Sequence, residues 1–151
     1  WPLQIFRGAC GAGSFRKLFS YESNLDWYRK FEKFRTWRNG DEKTIEITWP
    51  FHSVEYVGTN WQILHEQQCG KEIAVLFSDE SPGEMRKYNV SMFCNTAKII
   101  VVHDSEPSND HGYKFSLIRP LFKYAKDFEY PGANATAFSN FIDVTKWAER
   151  R

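Results

Sequence analysis

Arg86-Lys87-Tyr88-Asn89-Val90-Ser91-Met92-Phe93-Cys94 lies between the turn-forming cluster Ser81-Pro82-Gly83 and the polar pair Asn95-Thr96. A short run that holds tyrosine, valine and phenylalanine between turn signals reads as a β-strand. That reading carries the fold with it. Residues 73–78 and 98–103 flank it as apolar runs of strand length, and 51–57, 60–66, 113–119 and 124–130 read the same way. Residues 43–49 alternate, with Ile45, Ile47 and Trp49 on one side and Thr44, Glu46 and Thr48 on the other, before Pro50 closes the run. Strands at this spacing predict a mainly β fold, an antiparallel β-sandwich of seven to eight strands. Residues 137–147 read as a short helix or turn.

One helix is expected ahead of the sandwich. Ser23 is the predicted N-cap, with Asp26 three residues on. Trp27, Phe31 and Phe34 recur at helical spacing, Arg29, Lys30, Lys33 and Arg35 point away, and Asn39-Gly40 is a stop signal. The spacing predicts an N-terminal amphipathic helix over 24–38, whose aromatic stripe packs on the core or offers a face for self-association. Residues 1–22 read as an irregular segment and 23–151 as a single domain containing that helix. Within the first segment, Gly8-Ala9-Cys10-Gly11-Ala12-Gly13 lacks the Lys-Ser/Thr of a phosphate-cradling loop and reads as a linker.

Composition bounds the class. The chain has 151 residues, of which 42% are hydrophobic and 26% charged, as in ordinary soluble domains. No apolar run approaches the ~20 residues of a bilayer span, so no membrane partner is expected. Aromatic residues reach 17%, a share that favours β-structure and contact surfaces. Net charge is +1, but residues 1–40 hold eight Lys/Arg against three acids and the remainder twelve against sixteen. A basic start thus precedes an acidic body. Cations and aromatics interleave in helix 24–38, yet the net-negative strands lack an RNP-like motif, which disfavours nucleic acid.

Three cysteines, Cys10, Cys69 and Cys94, close no bridge framework and point to a cytoplasmic, reducing compartment. Two sequons, Asn89-Val90-Ser91 and Asn134-Ala135-Thr136, make Asn89 and Asn134 candidate glycosylation sites and keep secretion as the alternative. The chain opens at Trp1 without Met, so earlier residues are expected to have been removed.

Catalytic signals are weak. His103, Asp104, Glu106, Asp110 and His111 crowd one stretch, but Pro107, Ser108 and Asn109 mark it as a solvated turn. His65, Cys69 and Cys94 fall short of a four-ligand zinc set. Ser14, Ser53 and Ser139 lie in no nucleophile elbow, and Asp79-Glu80 reads as a hydrated pair in a turn before Pro82. The expectation is a protein without catalytic residues, cofactor or metal.

From Phe51 onward the order of features resembles the MATH (meprin and TRAF homology) domain. The similarity runs through Phe51, Gly58 and Trp61-Gln62-Ile63, then Ile73-Ala74-Val75-Leu76-Phe77, then Tyr88 to Phe93, and finally Phe128 to Tyr130 with Thr136-Ala137-Phe138-Ser139-Asn140-Phe141-Ile142. Thr136-Ala137 stand where the family has Trp-Gly. The resemblance implies a non-catalytic module that binds an extended peptide of a partner protein on an aromatic-lined sheet face, with Tyr88, Phe128, Tyr130 and Phe138 as the peptide-binding positions. The alternative is a secreted glycoprotein or lipocalin-like carrier, its aromatics lining a cavity for a small apolar ligand.

Overall fold

Strands and helices alternate along the chain, so the fold is an open, mixed α/β sheet and not the expected antiparallel sandwich. The computed structural model of the protein describes residues 3–7, 17–38, 44–46, 52–80 and 82–147. Nine strands appear among them: β1 (Leu3–Arg7), β2 (Lys17–Glu22), β3 (Thr36–Arg38), β4 (Thr44–Glu46), β5 (His52–Tyr56), β6 (Ile73–Ser78), β7 (Ala97–His103), β8 (Tyr124–Phe128) and β9 (Ala135–Ser139). Five helices interleave with them: α1 (Leu25–Arg35), α2 (Gln62–Gln68), α3 (Met85–Phe93) and the single turns α4 (Asp110–Tyr113) and α5 (Phe115–Ile118). Seven strands form one sheet in the order β5-β2-β1-β6-β7-β9-β8, while β3 and β4 make a separate hairpin.

Strand directions follow from the pairings. β2 and β5 are parallel, as are β6 and β7, whereas β1 is antiparallel to β2 and β6, and β9 to β7 and β8. Five strands (β2, β5, β6, β7 and β8) therefore end at one edge of the sheet. Crossovers between parallel strands are right-handed. The connection β2–α1–β5 moves outward in one direction, and β5–α2–β6 and β6–α3–β7 move in the other. The rule puts α1 on one face and both α2 and α3 on the opposite one. The ring of His65 on α2 accordingly meets Phe93 on α3 at 5.9 Å.

The core fills the α2/α3 face. Leu64, Ile73, Leu76, Val90, Ile100, Val102 and Ile118 are fully enclosed, and Phe138 stacks on Phe122 at 4.9 Å. Each such side chain contributes roughly 1.5–3 kcal/mol on burial.

The corrections have identifiable causes. Residues 86–94, expected as a strand, form α3, because Arg86, Asn89, Val90 and Phe93 are its buried positions. That is the i, i+3, i+4, i+7 pattern of a helix, and tertiary packing overrides the β-propensity of Tyr, Val and Phe. Likewise 60–66 gives way to α2, with Leu64 and Gln68 inward, and 113–119 to the short helix α5 with Phe115 and Ile118 inward. Of residues 137–147, expected as a short helix or turn, 137–139 belong to β9, whereas Val144–Lys146 form a 3-10 turn. The first 22 residues, expected to be irregular, supply β1 and β2 near the middle of the sheet. Of the helix expected over 24–38, Leu25–Arg35 form α1 and Thr36–Arg38 form β3 instead; α1 is capped one residue later than expected, where Asn24 Oδ1 accepts from the N–H groups of Asp26 and Trp27 at 2.9 and 3.1 Å. Phe31, Phe34 and the glycine-dense stretch 8–13 lie outside the side chains and residues described.

A helical 86–94 segment makes a prediction that a strand would not. Phe93→Ala should cost about 3–5 kcal/mol in urea unfolding, whereas Tyr88→Ala and Met92→Ala, both on the exposed side of α3, should each cost about 0.5 kcal/mol or less. Equal losses at Tyr88 and Phe93 would contradict the assignment.

Candidate functional site

Ligands in open α/β sheets bind outside the carboxyl ends of the strands, at the point where strand order reverses. Here that point lies around β1, with β2 and β5 on one side and β6 and β7 on the other. Pairing places Ser20, Gln4 and Phe77 side by side, and Glu22 opposite Tyr56. Two residues further along, Glu22 and Asp79 stand level at the edge, two strand spacings or about 10 Å apart. Ser78 pairs with Val102, so His103 stands level with Asp79.

Around β6 and β7 the edge carries a buried polar cluster. Arg86, in the first turn of α3 and only 3% exposed, is its hub. Arg86 Nη2 donates to Asp79 Oδ1 at 3.1 Å and reaches Asp104 Oδ2 at 3.4 Å, while Nε and Nη1 donate to the carbonyls of Glu80 and His103. Its guanidinium lies 4.1 Å from the centre of the Tyr113 ring. Gly83 leaves room for that ring, since a Cβ there would fall 1.8 Å from a Tyr113 ring carbon. His103 Nδ1 sits 3.3 Å from Asp79 and 3.0 Å from Asp104. With both carboxylates beside Nδ1, the neutral form of the imidazole keeps its proton there and leaves Nε2 as a lone pair, on a ring one-third exposed. Asp104 adopts a left-handed backbone, φ 53°, a conformation that costs free energy for a non-glycine residue and concentrates at functional sites.

Glu80 points the other way, beneath α3. Ser78 Oγ donates to its Oε2 at 2.8 Å and Asn89 Nδ2 to its Oε1 at 3.0 Å. Complete burial pushes its carboxyl above the ordinary range, against the lowering pull of those hydrogen bonds and of Arg86. Across the reversal point, Glu22 is 2% exposed; one oxygen accepts from the Asn24 N–H at 2.8 Å and the other has no partner among the described residues. The indole N–H of Trp61, just beyond β5, is also buried and unpartnered. Tyr28 and Tyr56 form a ring pair at 5.6 Å beside them.

Several expected positions are rearranged. Asp79 and Glu80, read as hydrated turn carboxylates, are enclosed. His103 and Asp104 leave the supposed solvated loop to join Asp79, whereas Glu106 binds Asn109 and Asn134, and Asp110 caps Ser116. Asp79, His103 and Asp104 each offer one ligand atom within 4.8 Å of the others, a set able to hold a cation. Cys69 is exposed, Cys94 buried, and both are free. Of the positions expected to bind peptide, Tyr88 stands exposed on α3, Phe128 ends β8, Tyr130 lies exposed beyond it, and Phe138 is a core residue at 1% exposure. They do not line one sheet face. Asn89 is fully buried, which closes it to a glycan, and Asn134 is half-buried in a turn. No helix among the described residues is long and apolar enough to cross a membrane.

The elements define an α/β protein with its polar site at the carboxyl edge of the sheet. No protein-family model matches the chain, and neither curated proteins nor solved structures give a match.

Glu80 generates a pH prediction. Its folded carboxyl holds a proton above pH 4.5, where the unfolded one has lost it. Its contribution is therefore fully present below that pH and is lost as pH rises towards the folded value. Glu80→Gln, which keeps the acceptor for Asn89, should gain stability relative to the wild type between pH 5 and pH 8 in urea unfolding. A gap that does not change with pH would contradict an enclosed Glu80 with a raised pKa.

Proposed function

We propose that the protein is a methyltransferase that binds S-adenosylmethionine at the carboxyl edge and transfers its methyl group to a substrate hydroxyl. The observation that carries this reading is the buried, half-partnered carboxylate of Glu22 at the end of β2. A carboxylate in that place on an open α/β sheet accepts hydrogen bonds from the hydroxyls of a nucleoside ribose. Tyr28 and Tyr56 offer aromatic surface for its base.

Charge selects among nucleoside cofactors. The edge carries Glu22, Asp79 and Asp104 against one guanidinium, Arg86. Such a surface repels a pyrophosphate and attracts a cation, and S-adenosylmethionine joins adenosine to a sulfonium and an ammonium. His103 is the proposed general base, its Nδ1–H oriented by Asp79 and Asp104 in the manner of other carboxylate–histidine pairs. The acceptor oxygen attacks the methyl carbon, the carbon–sulfur bond breaks with its electron pair remaining on sulfur, and the hydroxyl proton passes to His103 Nε2. Free thiols at Cys69 and Cys94 and the enclosed Asn89 fit a reducing, cytoplasmic setting.

A second reading has a specific basis, the cation-binding geometry of Asp79, His103 and Asp104. There the acceptor hydroxyl would be acidified by a divalent cation, with His103 as a ligand.

Calorimetric titration tests the assignment. S-adenosylmethionine should bind, NAD and ATP should bind far more weakly, and Glu22→Gln should weaken S-adenosylmethionine about 10- to 100-fold through loss of a charged hydrogen bond. His103→Gln should leave that affinity within about threefold yet remove methyl transfer to a hydroxyl acceptor. Transfer that survives chelator favours the base, and transfer that chelator removes and Mg²⁺ restores favours the cation. Tighter binding of NAD or ATP, or no effect of Glu22→Gln, would overturn the proposal.

A further inference from the structure

A cavity lies at the opposite end of the sheet from the carboxyl edge. Its volume is 330 Å³, and it opens between the C-terminal halves of α2 and α3, where both helices turn back into β6 and β7. Ligand pockets begin at about this size. Its walls are largely apolar: Phe93 is buried among them, Met92, Thr96 and Cys69 complete the rim, and Gln62 and Glu66, which also line it, bond to each other at 2.9 Å.

One wall is polar and its hydrogen-bonding sense is fixed from behind. Asn89 Nδ2 donates to Glu80 Oε1, so its Oδ1 is the acceptor facing His65 Nε2 at 3.1 Å. His65 Nε2 therefore carries the ring proton, and in the neutral imidazole Nδ1 is left as a lone pair. No described residue donates to Nδ1, although the ring lines the cavity. A largely apolar slot with an oriented acceptor in the His65 wall suits a flat apolar molecule that carries one hydrogen-bond donor.

We propose that the cavity between α2 and α3 binds a small aromatic alcohol of the phenol type, its ring against Phe93 and Met92 and its hydroxyl donating to His65 Nδ1. The cavity shares no residue with the carboxyl edge and is independent of the methyl-transfer reading. It meets the edge cluster only through His65, Asn89 and Glu80. Binding there rests on shape and on one hydrogen bond, so a ring of the same size without a donor binds less well.

Phenol and toluene are the matched probes, and the exposed thiol of Cys69 at the rim is the reporter. Phenol should slow alkylation of Cys69 by iodoacetamide and shift the Met92 methyl resonance at millimolar concentration. Toluene should require about three- to tenfold more, the share of one hydrogen bond. Met92→Glu, at a site 54% exposed, should abolish the protection of Cys69 and leave the thermal midpoint unchanged. Equal action of phenol and toluene, no protection at about 10 mM, a concentration that would fill even a weak millimolar site, or protection that survives Met92→Glu would overturn the proposal.

Discussion

A single guanidinium holds the carboxyl edge together. Arg86 enters from the first turn of α3 and lies between Asp79, which follows β6, and Asp104, which follows β7. An isolated charge at that depth would be prohibitive, and two carboxylates on one side of a low-dielectric edge would repel. Together they are tolerated because Arg86 also donates to the backbone carbonyls of Glu80 and His103 and packs on the Tyr113 ring. Breaking such a buried pair by removing one partner typically costs about 3–5 kcal/mol. One positive charge against two negative ones leaves the edge negative, and that residual charge shapes the affinity of the crevice.

The sheet supplies the placement. Because β2, β5, β6 and β7 run the same way, every helix-bound connection leaves from one edge, and each strand delivers its last residues there. Alternation along β6 then separates adjacent acids. Glu80 turns beneath α3, where burial raises the pKa of its carboxyl, and Asp79 faces His103. Two neighbouring carboxylates acquire different chemistry from one step of the backbone.

Part of this was legible in the sequence. The apolar runs 73–78 and 98–103 are strands β6 and β7, and the spacing of Trp27, Phe31 and Phe34 marks α1. The decisive error lay in residues 86–94, where β-favouring side chains masked a helical period that only Arg86, Asn89, Val90 and Phe93 reveal once their burial is known. Reading that run as a strand turned a β–α–β unit into a β-meander and made Asp79-Glu80 an exposed turn. The signal that an apolar strand ends directly in two acids before Pro82-Gly83 and a helix was present, but it has functional meaning only in an α/β sheet. Pairing of Asp79 with His103, 24 residues away, needs the parallel register of β6 and β7. The burial of Asn89 and Phe138, which closes the one to a glycan and the other to a groove, is encoded by no local pattern.

Diffraction from a crystal soaked with S-adenosylmethionine addresses the central claim most directly. Difference density should run along the carboxyl edge from Glu22 across the start of β1 to the Asp79–His103–Asp104 cluster, with the ribose hydroxyls on the free oxygen of Glu22 and the methyl group towards His103. An empty edge at saturating ligand, or density confined to the cavity between α2 and α3, would contradict it.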